Sequence, residues 1–315
     1  MNIQISVITP TRNRAQTLHR VFNSLKKQTY KKFEWIVCDD ASKDNTLELL
    51  KKYKKKAEFN IRIFSFKNRA GKPKIDNFCL KKANGKFIVF ADSDDGFKEN
   101  SFKDFVSEWR RIPFSIKKKT FAIVSRCLKP DNKPLEPKLN LGFKSISYTN
   151  LIYNLKKNTE KWLFINEKIL KKYRFSEIDY YVPEGILWTK ISRKYNLWVL
   201  DKCYRIFYSD TYNSITHSNK INYPIGQLEA IRFFIKNNFF IKDKNSYLLL
   251  VNFYRFKFIN KIYFNYKENK KFKINNKINI IPKILGFCLF IKDIIFFNIE
   301  NDKFYKNTKQ PKEIK

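Results

Sequence analysis

The 315-residue chain carries 65 Lys and Arg residues against 29 Asp and Glu residues, which gives a formal net charge of +36. Hydrophobic residues make up 43% of the chain, a share that predicts a folded core and excludes wholesale disorder. The basic residues are spread along the whole chain, without the isolated basic arm that is typical of a nucleic-acid-binding tail. We therefore expect no nucleic-acid partner.

The five cysteines form no Cys-x-x-Cys pair. Their odd number and their spacing disfavour a disulfide framework or a zinc site and favour a reducing compartment. The first residues lack the basic and apolar regions of a signal peptide, and no uncharged apolar window of about 18 residues occurs. The sequence thus predicts a cytoplasmic protein without a conventional membrane span.

The N-terminal part of the chain alternates between two hydrophobic periods. Apolar runs of strand length fall at 3–8, 33–37, 61–66, 87–91 and 121–124. Between them, apolar residues recur at helical spacing in 18–25, 47–53, 75–80 and 102–109. Strands that alternate with helices predict crossover connections and an α/β fold with a mostly parallel sheet flanked by helices.

Polar clusters follow three of the predicted strands, at 9–14, 39–44 and 92–95. Ligands of such sheets bind at the carboxyl ends of the strands, near a switch in strand order. The coincidence of polar clusters with strand ends therefore predicts a binding site at that edge.

The most acidic of these clusters is Asp92-Ser93-Asp94-Asp95, which follows an apolar run. Three carboxylates in four residues repel one another unless a cation lies between them. Hard oxygen ligands suit Mn²⁺ or Mg²⁺, so we expect a metal site here. The alternative is a solvated acidic turn or a helix cap.

The pair Asp39-Asp40 lies at the end of the second predicted strand. A carboxylate in that place can accept a hydrogen bond from a base N–H, as uracil presents. The alternative is that Ser42 or Asp44 caps the next helix and the two aspartates are merely solvated.

Several ordered segments together resemble the start of a family 2 glycosyltransferase. They are ISVITPTRNR at 5–14, QTY at 28–30, VCDDAS at 37–42, DNT at 44–46 and ANGKFIVFADSDD at 83–95. The resemblance implies a GT-A fold, a nucleotide-diphosphate sugar donor, with UDP as the expected nucleotide, and Mn²⁺ or Mg²⁺ as cofactor. Two positions depart from the family pattern: Arg12 replaces a frequent aromatic residue, and Ala41 replaces a frequent glycine.

The resemblance also implies roles for individual residues. Thr9 and Thr11 would frame the nucleoside pocket, and Asp40 would bind the base. Asp92 would face the ribose or the metal, and Asp94 would ligate the metal on the diphosphate. The full expected donor site comprises Thr9, Pro10, Thr11, Arg12, Asp40, Lys72, Asp92 and Ser93. For Lys72, in a basic loop that resembles one seen in some members, the alternative is a solvated surface lysine.

The segment 181–188, with Glu184 between Pro183 and Gly185, resembles the part of the family that carries an acidic catalytic base. An inverting transfer needs one carboxylate to take the proton of the acceptor hydroxyl. Asp179 and Glu177 are rivals for this role, and a charge at the start of a helix is the structural alternative. By resemblance, His217 is a candidate to complete the metal site.

From Tyr223 onward the chain has helical patterns and is rich in aromatic residues. We expect a catalytic domain at 1–217 and a basic, aromatic, helical appendage at 218–315. The apolar run 278–297 is interrupted by Lys283, Lys292 and Asp293, so it suits a helix in the plane of an anionic membrane better than a span. The alternative is a helix packed on the catalytic domain.

Together these features predict an inverting, metal-dependent glycosyltransferase. It would move one sugar to a glycan or lipid-linked acceptor in surface polysaccharide or lipopolysaccharide assembly, peripheral on the inner face of the cell membrane. A GT-A-like nucleotidyltransferase is the alternative among enzymes. A non-catalytic basic module that binds membrane or nucleic acid is the alternative from another class.

Overall fold

The computed structural model describes residues 3–138, 144–154, 160–210, 222–236, 244–263, 280–296 and 311–314. The chain forms two compact units. The first comprises Met1–Phe175, Leu187–Thr211 and Asn307–Lys315, and the second comprises Ser176–Ile186 and Tyr212–Lys306. This division differs from a single boundary at 217, because 176–186 belongs to the second unit and the C-terminal residues return to the first.

The elements of the first unit begin as the hydrophobic periods predict, and all five predicted strands and four predicted helices are confirmed. They are β1 (Ile5–Thr11), α1 (His19–Lys26), β2 (Phe33–Asp40), α2 (Thr46–Lys56), β3 (Asn60–Phe66), α3 (Lys72–Lys82), β4 (Phe87–Phe90), β5 (Gly96–Phe97), α4 (Ser101–Arg111), α5 (Phe114–Lys117), β6 (Thr120–Leu128), β7 (Ser145–Ile146), α6 (Tyr148–Asn154), β8 (Lys161–Asn166), α7 (Glu167–Leu170), α8 (Gly185–Ser192), whose first residues, up to Ile186, belong to the second unit, and β9 (Asn196–Ile206).

All strands of the described residues join one sheet, in the order β10-β3-β2-β1-β4-β8-β6-β9-β5, with β7 on β9; β10 is the C-terminal strand Lys312–Ile314. β1 lies between β2 and β4 and runs parallel to both. Because β2 and β3 extend to one side of β1 and β4 to the other, the order of the strands switches beside β1. The carboxyl ends of β1 and β4 therefore border the crevice where such sheets bind ligands.

The core lies on both faces of this sheet. Successive residues of a strand point to opposite faces, so Trp35 and Val37 pack in one apolar layer while Ile36 and Cys38 pack in the other. Every residue of β2 is buried, which explains its nearly continuous apolar sequence. Glycine at position 85 is required by packing, because a Cβ there would lie 2.4 Å from the backbone nitrogen of Ser6.

The sequence patterns did not predict the later strands. β9 pairs with β6 through register shifts, and the residues around Asp201 and Lys202 interrupt its apolar pattern. β10 is the other departure, since the C-terminal third was expected to be helical throughout. It pairs antiparallel with β3, and Lys54 donates a 3.0 Å hydrogen bond to the carbonyl of Ile314.

The second unit, by itself, is helical in its described elements: α9 (Pro224–Lys236), α10 (Lys244–Tyr263) and α11 (Ile280–Phe296). Phe290 of α11 packs against Phe258 of α10 in a small apolar core. Gly286 permits this close approach, because a Cβ there would lie 2.7 Å from the Cβ of Tyr254. No helix within the described ranges has both the length and the apolar character needed to cross a bilayer.

Candidate functional site

The three polar clusters that follow β1, β2 and β4 meet at the carboxyl edge of the sheet. The loops after β1 and β2 are joined by hydrogen bonds: the backbone N–H of Asn13 donates to Ser42 Oγ at 2.9 Å, and that of Lys43 donates to Asn13 Oδ1 at 2.8 Å. The cluster after β4 is held to the same region, since Thr17 Oγ1 donates to the Ser93 carbonyl at 3.2 Å. The three clusters therefore lie at one edge of the sheet, and the binding site at that edge stays a prediction.

Asp40 is buried at the end of β2, and both of its carboxylate oxygens accept hydrogen bonds from backbone N–H groups. The donors are Ala70 and Gly71, the latter at 3.1 Å. Burial raises the pKa of Asp40, while these two N–H groups and the cations Arg69 and Arg12 oppose the rise. The carboxylate thus anchors the turn before α3, in addition to any contact with a base.

Asp39 also accepts hydrogen bonds that hold a loop. It accepts hydrogen bonds from Ser42 and, at 3.3 Å, from Ser65 Oγ. Burial raises the pKa of Asp39, and the bonds from Ser42 and Ser65 oppose that rise. The pair at the end of β2 is therefore not merely solvated.

The acidic cluster after β4 has a cation between its carboxylates, and that cation belongs to the chain. Arg205 of β9 donates through Nε to Asp95, through Nη2 to Asp92 at 2.8 Å, and through Nη1 to Glu160 at 3.5 Å. Asp95 is 1% exposed and Asp92 38% exposed. The repulsion expected among these carboxylates is thus partly offset without a metal ion. No sequence motif indicated Arg205, which lies 110 positions from Asp95.

The two aspartates bound to Arg205 have opposite pKa shifts. Burial raises the pKa of Asp95 to about 7, although attraction to Arg205 opposes the rise. For Asp92, desolvation is the largest single contribution and favours the neutral form, but Arg205, Lys72 and Arg14 together outweigh it and lower the pKa. Asp92 is therefore ionised at neutral pH, stabilised by Arg205 and the nearby cations.

Asp94 lies between these two residues in sequence and has a partly exposed side chain. Its backbone carbonyl accepts a 3.2 Å hydrogen bond from Arg20, which is fixed in turn by a bidentate pair with Asp210 at 2.9 and 2.7 Å. Within the described ranges, no three or more His, Cys, Asp or Glu side chains are grouped as a cation cage. Two carboxylates, Asp92 and Asp94, suit an ion that takes its remaining ligands from a diphosphate.

Lys72 begins α3 and forms an ion pair with Asp76 one turn later, at 2.9 Å. Its side chain is 14% exposed, which contradicts the reading of a solvated surface lysine. Because Lys72 also lowers the pKa of Asp92, its charge acts at the acidic cluster.

Two threonines of β1 differ in their partners. Thr9 Oγ1 accepts a 2.9 Å hydrogen bond from the indole N–H of Trp35. Thr11 Oγ1 is buried and has no hydrogen-bond partner among the described residues, and the same holds for Nε of Arg12. Pro10, between the threonines, is partly exposed. Buried hydroxyls without a partner are uncommon, so Thr11, at the carboxyl edge, is a candidate contact for a polar group of a ligand.

The candidate base lies in the second unit. Glu184 directly precedes α8 and is partly exposed. Asp179 is buried and accepts hydrogen bonds from the backbone N–H groups of Tyr180 at 2.8 Å and Gly226 at 2.9 Å, while Glu177 is exposed. Oδ2 of Asp179 thus holds its segment to the start of α9, while Oδ1 bonds within that segment. His217 lies outside the described residues.

The family model described as Glycosyl transferase family 2 matches residues 6–179, more than half of the chain. The chain belongs to glycosyl transferase family 2. The match contains every candidate donor-site residue, whereas Glu184 and Arg205 lie beyond it.

Two relatives cover the chain to different extents. Poly(ribitol-phosphate) beta-N-acetylglucosaminyltransferase TarS of Staphylococcus aureus is 37% identical over 123 residues, which span 37% of this chain and 21% of TarS. The GalNAc(5)-diNAcBac-PP-undecaprenol beta-1,3-glucosyltransferase of Campylobacter jejuni is 26% identical over 299 residues, 90% of this chain and 92% of that protein.

Solved structures show the same GT-A fold. A crystal structure of TarS 1-349 in complex with UDP-GlcNAc matches with a TM-score of 0.57 and 19% identity over 92% of this chain and 81% of that one. A mannosyltransferase from Pyrobaculum calidifontis in complex with GDP-Man and Mn²⁺ matches with a TM-score of 0.52 and 15% identity, over 96% and 78% of the two chains. The predicted fold class is therefore confirmed.

The different partners of the two threonines generate a paired prediction. Thr9→Val leaves the indole N–H of Trp35 unpaired in the core, so we expect it to lower the free energy of unfolding by about 1–3 kcal/mol. Thr11→Val removes a hydroxyl that has no partner, so we expect unchanged or higher stability and UDP binding weakened by roughly fivefold to tenfold. Urea unfolding and calorimetric UDP titration measure both effects. If Thr11→Val destabilises the protein as much as Thr9→Val, its hydroxyl serves the fold and not a ligand.

Proposed function

We propose that the protein is an inverting glycosyltransferase that moves one sugar from a UDP-sugar to a glycan or lipid-linked acceptor. The transfer would serve cell-surface polysaccharide or lipopolysaccharide assembly. The observation that carries this proposal is the coincidence of the family match with the polar edge of the sheet. Thr11, Asp92 and Asp94 lie within the matched residues and at the carboxyl ends of strands that border the switch in strand order.

The relatives support the substrate class. TarS is named for a poly(ribitol-phosphate) acceptor and the Campylobacter protein for an acceptor linked to undecaprenol. Both names specify β products, which arise by inversion when the sugar of the donor is α-linked. A TarS fragment with the same fold binds UDP-GlcNAc, which supports UDP as the nucleotide.

The donor would lie along the loops after β1 and β4. In this proposal the hydroxyl of Thr11 gains its missing partner from the nucleoside, and Thr9 and Asp40 support the pocket from beneath. Arg12 and Lys72 bring positive charge to the phosphates, which cations of this kind stabilise. Pro10 and Ser93 would shape the pocket through their backbone.

Asp92 and Asp94 would hold Mn²⁺ or Mg²⁺ together with oxygens of the donor diphosphate. Carboxylate oxygens at a strand end fit these hard cations, and the mannosyltransferase of the same fold contains Mn²⁺. When bound, the ion supplies positive charge that stabilises the departing diphosphate.

Glu184 is the proposed base. A base must be ionised and able to reach the proton of the acceptor hydroxyl, which requires an accessible carboxylate. Glu184 is partly exposed, whereas Asp179 is buried with both oxygens accepting backbone N–H groups. This difference favours Glu184 over Asp179.

The second unit is proposed to bind an anionic bilayer. Four residues at i, i+3, i+4 and i+7 of α11 present a continuous exposed apolar stripe; they are Ile284, Phe287, Cys288 and Ile291. The opposite face, with Gly286 and Phe290, is buried against α10. Exposed Lys283 and Lys292 flank the stripe, so the surface combines apolar side chains with positive charge, as an in-plane membrane helix does. An enzyme held there would meet a lipid-linked acceptor in the same membrane.

Asp94→Ala tests the donor site. We expect the variant to stay folded and to lose metal-dependent UDP binding, because one of two proposed metal ligands is gone. The assay is a screen of UDP-sugars by nucleotide release, with and without chelator, alongside calorimetric UDP titration. Release of pyrophosphate in place of UDP would instead show a nucleotidyltransferase. Chelator-sensitive turnover by Asp94→Ala at the wild-type rate would contradict the metal assignment.

Glu184→Gln tests the base. Donor affinity should stay nearly unchanged while sugar transfer falls by about 10²-fold or more, the usual range for a lost general base. Steady-state transfer rates across pH, with Glu177→Gln as the matched control, measure the effect. Equal rates for Glu184→Gln and wild type would move the role to Asp179 or Glu177.

The apolar stripe is tested by Ile284→Asp/Phe287→Asp in flotation with vesicles that contain phosphatidylglycerol or phosphatidylcholine alone. We expect wild type to float with the anionic vesicles and the double variant to lose at least about tenfold in binding, because carboxylates oppose both insertion and the anionic surface. Phe114→Asp is the matched control, since Phe114 is a 73% exposed apolar side chain of the first unit. If all three proteins float equally, the stripe does not bind lipid.

A further inference from the structure

Arg205 lies between two neighbouring strands of the first unit. It belongs to β9 and pairs in register with Phe97 of β5 on one side and Cys127 of β6 on the other. Its side chain is 10% exposed. Strands on both sides hold the backbone of Arg205, and the contacts of the side chain with Asp95 and Asp92 orient the guanidinium.

Each nitrogen of this guanidinium faces a different carboxylate. Nε donates to Asp95, Nη2 to Asp92 at 2.8 Å, and Nη1 lies 3.5 Å from Glu160. A guanidinium presents five donors in a planar fork and remains charged at all relevant pH values, whereas a lysine ammonium is a single point charge. Arginine can therefore hold two carboxylates of the same loop in the geometry of its planar fork, which the rotatable donors of a lysine do not impose.

The contact to Asp92 leaves one oxygen available. Arg205 occupies Oδ2 of Asp92, and among the described residues no hydrogen bond reaches Oδ1. The residue is 38% exposed, so this second oxygen has access to solvent or ligand. Asp95, in contrast, is almost fully buried and faces Arg205 and the backbone of Tyr208. One aspartate of the pair thus secures the arginine, and the other is oriented by it.

We propose that Arg205 is a positioning residue of the donor site, which orients the Asp92 carboxylate toward the metal–diphosphate and holds the acidic loop against its own repulsion. This inference rests on the proposed function, because it assigns Asp92 to the donor. It adds a residue from outside the matched family segment and from a strand that the sequence patterns did not predict. The fork geometry is the decisive property, so charge alone does not replace it.

The test compares Arg205→Lys with wild type and with Glu160→Gln. For Arg205→Lys we expect UDP affinity in the presence of Mn²⁺ to fall by roughly tenfold or more, with little change in chelator, because a charge-assisted contact that orients a ligand is lost. Glu160→Gln removes the charge from the longest of the three contacts and should change that affinity less than about twofold. Calorimetric titration gives both constants, and the metal dependence is a readout that a purely structural role would not move.

Two further variants separate an effect on folding from an effect on UDP–Mn²⁺ binding. Arg205→Gln leaves Asp95 buried without its cation, so we expect this variant to be strongly destabilised. Asp95→Asn/Arg205→Gln removes both charges, so we expect it to recover stability in urea unfolding but not the affinity for UDP–Mn²⁺. Recovery of both properties, or an unchanged metal-dependent affinity of folded Arg205→Lys, would overturn the positioning role. A wild-type protein that binds UDP–Mn²⁺ but transfers no sugar contradicts the proposed function and leaves the Arg205 comparison valid. A wild-type protein that binds no UDP–Mn²⁺ overturns both.

Discussion

One guanidinium shared by three carboxylates connects the chemistry of this protein to its fold. Arg205 joins the loop after β4 to β9, and so ties the sheet's first parallel strands to strands from much later in the chain. Without it, Asp95 would be an isolated charge in the core, and a buried unpaired carboxylate is either protonated or strongly destabilising. The charge balance of the acidic loop and the placement of β9 therefore depend on the same ion pairs.

At the rest of the carboxyl edge, polar side chains also stabilise the fold. Nearly every carboxylate there accepts hydrogen bonds that also hold a loop: Asp40 fixes the turn before α3, and Asp39 fixes the loop before α2. At the opposite edge of the sheet, the fully buried Glu34 near the start of β2 accepts hydrogen bonds from Ser6 Oγ at 2.6 Å and from the Asn84 backbone N–H at 2.8 Å. These bonds keep the strand ends in register with the loops they carry. In contrast, the hydroxyl of Thr11 has no hydrogen-bond partner among the described residues, which fits the proposed contact with a ligand.

The two departures from the family pattern have different structural consequences. Ala41 has φ 55°, in the left-handed region where glycine is unstrained. An alanine there costs about 1 kcal/mol, which the hydrogen bonds of the adjacent Asp39 and Ser42 can offset. Arg12 replaces a ring with a cation near Asp40, and it helps to keep the pKa of that buried carboxyl from rising further. The first departure concerns backbone strain, and the second changes the charge of the nucleotide-binding edge.

The sequence by itself determined the parallel half of the sheet, its helices and the acidic segment that follows β4. Those features are local: strand and helix periods, polar residues at strand ends and short motifs are all read over ten or so neighbouring residues. Only the tertiary structure decided which cation meets Asp92 and Asp95, why Thr9 and Thr11 differ, and that the last strand returns to the edge of β3. Each of these depends on contacts between residues far apart in the chain, such as Arg205 with Asp95 or Lys54 with Ile314. The partners of a buried polar atom are set by how distant strands align, and a bulged strand such as β9 carries no periodic signal of that alignment.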